Sequence, residues 1–310
     1  MKIFTFLILL LFSISANGQT AAEYAAFAEE KYEEQAYDAA LTLVEKSIAL
    51  DSTNIWSRLL IADILLRLDR ATEAEQQLII NIRNNPNASE AHNRLGLFYL
   101  EVNDLNKSIF YYSKAIEFAK SDSISFTYYV NRATAKGVLR QFDESIKDFE
   151  KAYAYDSSDM AVLNNLAAIY QEVGQKQKGI RMLKRLAILH PEMIGAYVNL
   201  GLIYSEIDSL KLSEFYFDKA LEIDPKEPLL LNNKGYLHYK KKEYNTALRY
   251  INESIDLYPA NSYAYRNRAL VNLALKRKNE ACKDLSIAEY LDFKMRYGNE
   301  VEALIEKNCQ

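Results

Sequence analysis

Five asparagines recur at intervals of 34 residues: Asn131 in YVNRATA, Asn165 in LNNLAAIY, Asn199 in YVNLGLIY, Asn233 in LNNKGYLHY and Asn267 in YRNRALV. A fixed period of this length marks a repeated supersecondary unit, one that cannot bury its apolar face alone and must stack on a neighbour. Counting from Ala21 gives segments at 21–54, 55–88, 89–122, then 126–159 after a three-residue insertion, and 160–193, 194–227, 228–261 and 262–295.

Within this frame three columns have fixed character. Place 8 is small throughout, from Ala28 and Gly96 to Gly235 and Ala269, and place 20 is small again, from Ala40 and Ser108 to Ala247 and Ala281. Place 24 is large and apolar, as at Val44, Tyr112, Phe217 and Leu285. Two helices approach closely where one offers a small residue and the other a large one to fill the gap. Apolar residues also fall at helical spacing in both halves of a unit, as at Leu163, Leu166 and Tyr170, then Leu183, Leu186 and Ala187. Each unit therefore reads as a helix hairpin. Asn85-Pro86, His190-Pro191, Asp224-Pro225 and Tyr258-Pro259 separate the hairpins, since proline disfavours helix in the residue before it.

The chain begins MKIFTFLILLLFSISANGQT: one Lys, an apolar run from Ile3 to Phe12, then small residues. This is the layout of a secretory signal peptide over residues 1–18, with an uncleaved anchor as the competing reading. The expectation is an exported protein, periplasmic or extracellular. With only 9 Gly and 5 Pro in 310 residues there is little turn chemistry for a many-stranded fold. The net charge of -4 does not favour a nucleic-acid binder. It is uneven: residues 19–159 carry 15 Lys+Arg against 23 Asp+Glu, and residues 160–310 carry 22 against 19.

The segment AYVNLGLIYSEIDSLKLSEFYFDKALEIDP, Ala196 to Pro225, resembles the tetratricopeptide repeat family, and the likeness extends over most of residues 21–295. It implies an all-α, right-handed superhelical solenoid of about eight helix-turn-helix repeats. GNEVEALIEKNCQ reads as a capping helix over 296–310, with Asn299 at its start and Val301, Leu304 and Ile305 on one side. Arg132, Lys234 and Arg268 stand where the family usually has Leu, and Lys120, Ser157 and Phe293 where it often has Pro. Those departures suggest some splaying of neighbouring repeats.

The resemblance also implies a concave groove lined by places 2, 5, 9, 12 and 13 of each first helix. In the first half of the chain these include Trp56, Leu59 and Leu97. In the second half they include Asn164, Val198, Leu202, Asn232, Tyr236 and Tyr239, and in the last repeat Tyr263, Arg266 and Leu270. An apolar and aromatic surface of this kind marks a binding site for another protein or peptide segment. Asn164, Asn232 and Arg266 are the expected hydrogen-bonding partners for that segment. Family members that clasp chaperone C-termini use Lys and Asn at fixed groove places; here place 5 has no Lys and place 9 has no Asn, so that role is not expected.

Nothing in the sequence suggests catalysis, a metal or a cofactor. His92, His190 and His238 lie in three separate repeats, and GxSxG, GxxxxGK[ST] and GxGxxG are absent. Cys282 and Cys309 would lie at one edge of a stacked array, and export permits a disulfide between them, against the alternative of two unpaired thiols. Lys176, Lys178, Lys240 to Lys242, Lys276 and Lys278 gather near turns. They read as solubilising, or as a basic edge that meets an anionic partner or through which membrane contact would occur. The function expected is a non-enzymatic protein-binding module. The alternative is a self-associating structural scaffold or assembly factor of the cell envelope.

Overall fold

The computed structural model describes residues 19–309, so the expected signal peptide lies outside the described residues. The chain forms two compact units that meet in sequence between Asp148 and Phe149. The first holds α1 (Ala21–Glu33), α2 (Tyr37–Leu50), α3 (Ile55–Arg67), α4 (Ala71–Asn84), α5 (Ser89–Glu101), α6 (Leu105–Glu117), α7 (Asp122–Val138) and the first half of α8 (Phe142–Tyr155). The second holds the rest of α8 and α9 (Met160–Glu172), α10 (Lys176–Leu189), α11 (Ile194–Glu206), α12 (Leu210–Ile223), α13 (Pro228–Lys240), α14 (Tyr244–Leu257), α15 (Ser262–Ala274) and α16 (Lys278–Tyr290). It ends in α17 (Phe293–Tyr297) and α18 (Glu300–Asn308). Every described element is helical, and none is long and apolar enough to cross a membrane.

One backbone device builds every hairpin. Place 15 is left-handed in all eight repeats, at Gln35, Asp69, Asn103, Arg140, Gly174, Asp208, Lys242 and Lys276, with φ between 57° and 74°. The amide that follows turns back to the last turn of the first helix, as Arg70 N–H donates to Leu65 O at 2.9 Å and Gln175 N–H to Tyr170 O at 2.7 Å. Such a left-handed residue satisfies the final carbonyls and reverses the chain in the fewest residues. Short side chains open several first helices, with Asn54 accepting from Ser57 N–H at 3.0 Å and Asp159 from Val162 N–H at 2.8 Å.

The small and large columns meet inside the hairpin. A Cβ added to Gly96 would lie 2.6 Å from the Tyr112 ring, and one added to Gly235 would lie 2.5 Å from Ile251. Serines of place 20 tie the same crossing, since Ser108, Ser145 and Ser213 donate to the carbonyls of Gly96, Ala133 and Gly201 at 2.9, 2.6 and 2.8 Å. A polar group in a buried helix crossing is tolerable only when bonded in this way.

Arg132, Lys234 and Arg268 do not mark loosened packing, because each finds an acidic partner. Arg132 grips Asp148 with two bonds of 2.8 and 2.7 Å, and Lys136 adds a third at 2.7 Å. Arg268 grips Asp284, which also accepts from Asn272 at 3.1 Å. Both aspartates are buried. Other repeats fill the same two places, 11 and 23, with stacked rings: Tyr99 on Tyr111 at 5.5 Å, Tyr204 on Tyr216 at 5.5 Å and His238 on Tyr250 at 5.3 Å. Lys234 pairs with Asp218 and lies 4.9 Å from the Tyr250 ring.

At the C-terminal end Cys282 and Cys309 are joined, with Cα atoms 5.6 Å apart. Val301 and Phe293 bury themselves with Leu285 and Ala288. Asn299 stands at the start of α18, but its side chain makes no capping bond.

Candidate functional site

The C-terminal part of the expected groove is largely occupied by the chain itself. Arg266 is only 6 % exposed. Its guanidinium lies 5.4 Å from the Tyr236 ring and 5.3 Å from the Tyr263 ring, bonds Glu300 of α18, and donates to Asn267 Oδ1 at 2.6 Å. Burial works against its charge, but the Glu300 carboxylate outweighs that and holds its pKa above the ordinary value. Tyr263 stacks on Phe293 at 5.8 Å and meets Tyr297 at 5.0 Å. Asn232 is buried, its Oδ1 accepting from Asn267 Nδ2 at 2.9 Å.

Asn232 and Arg266 are therefore internal fasteners and not donors to a partner. The cap explains the difference: Tyr263 and Arg266 would line an open groove if α17 and α18 did not cover the last repeat. Asn164 and Leu202 remain exposed, while Val198, Tyr236, Tyr239 and Leu270 are half-buried. The rings of Tyr236 and Tyr239 stack on each other at 5.7 Å.

The turn lysines are mostly engaged. Lys176 pairs with Glu206 at 2.9 Å, Lys241 with Glu214 and Glu243 at 3.1 and 3.0 Å, and Lys240 with Ser205 O. Lys178 lies over the Tyr170 ring at 5.0 Å.

Open clefts lie in the first unit, beside Trp56. This residue, the only tryptophan of the chain, is 69 % exposed, and its indole lines two clefts at once. One, of about 490 Å3, has Ala22, Ala25 and Ala26 of α1 on one wall, where small side chains leave depth, with Leu59, Glu29, Asp63 and Arg94 completing it. Leu59 itself is buried and serves as its floor. The other, of about 830 Å3, runs past Ile55, Pro86, Ala88 and Glu90 to Lys120, Ile124 and Tyr128. A third cleft, of about 280 Å3, continues from Asp63 and Arg94 along Leu66 and Arg67 to Glu101. Leu97 is half-buried and lines none of these.

The three-residue insertion shapes the larger of the two Trp56 clefts. It starts α7 early, giving 17 residues where the other first helices have 13, and the added turn brings in Ile124. Tyr128 is fixed by its hydroxyl, which donates to Glu90 Oε2 at 3.2 Å and lies at the same distance from the Ser89 hydroxyl. Sequence reasoning marked the insertion and Trp56 but did not join them. Glu90 and Tyr128 carry no local mark that distinguishes them from ordinary surface and packing residues, and Lys120 stands out in the sequence only as a departure from the family's proline.

Charge in this site is arranged around one arginine. Arg94 bridges Asp63 at 3.1 Å and Glu90 at 3.1 Å. Burial pushes the Asp63 carboxyl above the ordinary carboxylate range, with Arg94 opposing it. Glu29 and Glu101 make no ion pair among the described residues. The arrangement offers apolar walls and carboxylates. Among the described residues no group of three His, Cys, Asp or Glu could hold a metal ion.

Tetratricopeptide repeat family profiles match residues 31–95, 89–122, 194–227 and 216–249. These are tetratricopeptide repeats. The array is 25 % identical over 195 residues to the yeast anaphase-promoting complex subunit CDC16, a match covering 62 % of this chain and 22 % of that protein. The chain thus spans about a fifth of that relative's length. It is 25 % identical to the type IV pilus assembly protein PilF of Pseudomonas aeruginosa over 58 % of this chain and 71 % of that one. The solved PilF structure superposes with a TM-score of 0.56, covering 72 % of this chain and 98 % of that one at 22 % identity. YrrB, described as a tetratricopeptide repeat protein with an unusual peptide-binding site, superposes with a TM-score of 0.52 at 21 % identity, over 60 % of this chain and 95 % of that one. These likenesses establish the tetratricopeptide solenoid fold of the array.

Proposed function

We propose that this protein is an exported, non-enzymatic module that docks a segment of another protein against the first-helix face of repeats 1–4. The single observation that carries this reading is Trp56, exposed and shared by two clefts whose other walls are already packed. Large aromatic side chains left in solvent beside a concave apolar surface are the usual anchors of recognition. The peptide-binding site named for YrrB supports the same reading. Export to the periplasm or beyond is supported by the apolar N-terminal run and by the pairing of the only two cysteines.

A photoreactive residue placed at position 56 should crosslink a defined partner in the cell envelope. The same group at position 188, where Ile188 is exposed on α10, should not. Identical capture from both positions would sink the reading.

A second reading, self-association through the terminal repeat, is favoured by Tyr290 and Met295, which are 85 % and 86 % exposed. Sedimentation of the mature chain at rising concentration distinguishes the two, since a constant monomer mass removes the scaffold.

A further inference from the structure

The clefts around Trp56 differ in chemistry, and the difference indicates what kind of segment they take. The larger cleft is walled by Ile55, Pro86, Ala88 and Ile124, and its two charges, Glu90 and Lys120, are of opposite sign. The smaller ones contain Glu29, Asp63 and Glu101 against Arg67 and Arg94, and Arg94 is already shared with Glu90. The surroundings add to this excess. Residues 19–88, which form repeats 1 and 2, hold 12 Asp+Glu against 6 Lys+Arg, whereas the remaining residues 89–310 hold 30 against 31. Residues 19–88 thus carry a net charge of -6 and residues 89–310 of +1, so the net negative charge comes from the first two repeats, the second of which holds Trp56.

Resting on the binding role proposed above, we infer that the segment docked here is basic and amphipathic. An apolar side chain seats in the larger cleft, and a neighbouring Lys or Arg crosses the Trp56 face to reach Asp63 and Glu29. Three physical terms favour this occupant over an acidic or neutral one. A cation over an indole is attracted by the ring's negative face, most strongly for tryptophan. A half-buried carboxylate that shares its ion-paired arginine with a second carboxylate gains from another cation. A field of one sign raises the encounter rate of the opposite sign and suppresses its own. The alanines of α1 complete the fit, because a larger residue at Ala25 would close the space that the cation enters.

Trp56 also reports on its own site, since no other tryptophan contributes to the emission. The test uses the mature chain with its disulfide intact and short synthetic peptides containing leucine and lysine. One control peptide carries glutamate for lysine and a second carries serine for leucine. Binding is followed by Trp56 emission and, in parallel, by calorimetry. The lysine peptide should give a saturable shift in emission, with an affinity that falls about tenfold or more as salt is raised from low to high. The glutamate and serine peptides should each bind at least about tenfold more weakly.

Asp63→Asn should weaken the lysine peptide, and Ala25→Phe should abolish the emission change. Glu45→Gln, which removes the same charge from the exposed surface of α2 and so only from the distant field, should weaken it far less. Equal binding of the glutamate peptide, or equal loss in Asp63→Asn and Glu45→Gln, overturns the inference while leaving the general binding role intact. Heat of binding without any change in Trp56 emission overturns it likewise and moves the site elsewhere. Absence of both signals with every peptide removes the inference and the reading on which it rests.

Discussion

The side-chain amide of Asn267 donates to Asn232 Oδ1 at 2.9 Å, and in the other unit Asn131 donates to Asn93 Oδ1 at 3.0 Å. In both cases place 6 of one repeat reaches place 5 of the repeat before it, so at these two rungs the recurring asparagine is a fastener between neighbours. Asn267 is fully buried and also accepts from Arg266. Replacing it by alanine leaves an amide oxygen and a guanidinium N–H without partners in a dry setting. Asn267→Ala should therefore cost about 2–3 kcal/mol, measured by urea unfolding. Asn165→Ala, at a half-buried rung, should cost less.

Gly96 faces the Tyr112 ring at a crossing that has no room for an added methyl. A Cβ at Gly96 would meet the Tyr112 ring at 2.6 Å, and Tyr112 is fully buried. Repeats with alanine at that place, as at Ala167 and Ala269, carry Leu183 and Leu285 opposite it in the frame. Gly96→Ala should destabilise by about 1–3 kcal/mol through overpacking. Gly96→Ala with Tyr112→Leu should recover much of that loss, giving a non-additive double-mutant cycle. An additive cycle would show that the two residues do not oppose each other.

The left-handed turn residue gives a third expectation. Lys242 and Lys276 hold φ of 62° and 59°, where a Cβ is unfavourable, while Gly174 holds 74° without that cost. Lys242→Gly and Lys276→Gly should each raise stability by about 0.5–1 kcal/mol, the relief of strain exceeding the added flexibility of the unfolded chain. Thermal midpoints of the two variants check this, and a fall in both would refute it.

Much of the hairpin was legible in the sequence because it rests on residue size at a fixed period. The pairing of Gly96 with Tyr112 and Gly235 with Ile251 follows from volume alone. The exchange of stacked rings at Tyr204 and Tyr216 for the Arg132, Lys136 and Asp148 group was not legible. It needs three positions read together, and each alone resembles surface charge. The groove was read in its lining places, including Trp56, but not in its openness. Whether Arg266 faces a partner or Glu300 depends on the path of α17 and α18, which no local pattern encodes. The disulfide illustrates the same limit, since sequence placed Cys282 and Cys309 at one edge without deciding their pairing.

His92 supplies a pH dependence. It is buried between Tyr111 and Phe118, its Nε2 lies 2.8 Å from Pro86 O, and its Nδ1 has no partner among the described residues. Burial lowers its pKa from the ordinary value. A histidine with a depressed folded pKa contributes stability that is present above its unfolded value and lost as pH falls below it. The unfolding free energy should therefore decline from pH 7 towards pH 5, and His92→Phe should flatten the decline. An unchanged slope in the variant would assign the pH dependence to other groups.

The bond between Cys282 and Cys309 joins residues 27 apart in sequence and encloses most of α16 and all of α17 and α18. α18 is nine residues long and buries Val301 completely enough to seal Leu285 and Phe293 from water, yet a helix of that length is marginal alone. Loop-closure entropy gives the cross-link a contribution of about 3 kcal/mol, which is enough to decide whether the cap stays in place. Cys309→Ser, or reduction of the intact protein, should release α18 first. Release exposes Arg266, Tyr263 and Phe293, because Glu300 leaves with the helix. Hydrogen exchange should accordingly rise in α15, α16 and α18 on reduction, while α1 to α6 keep their protection. Loss of protection spread evenly over both units would mean that the bond stabilises the whole chain and not the cap.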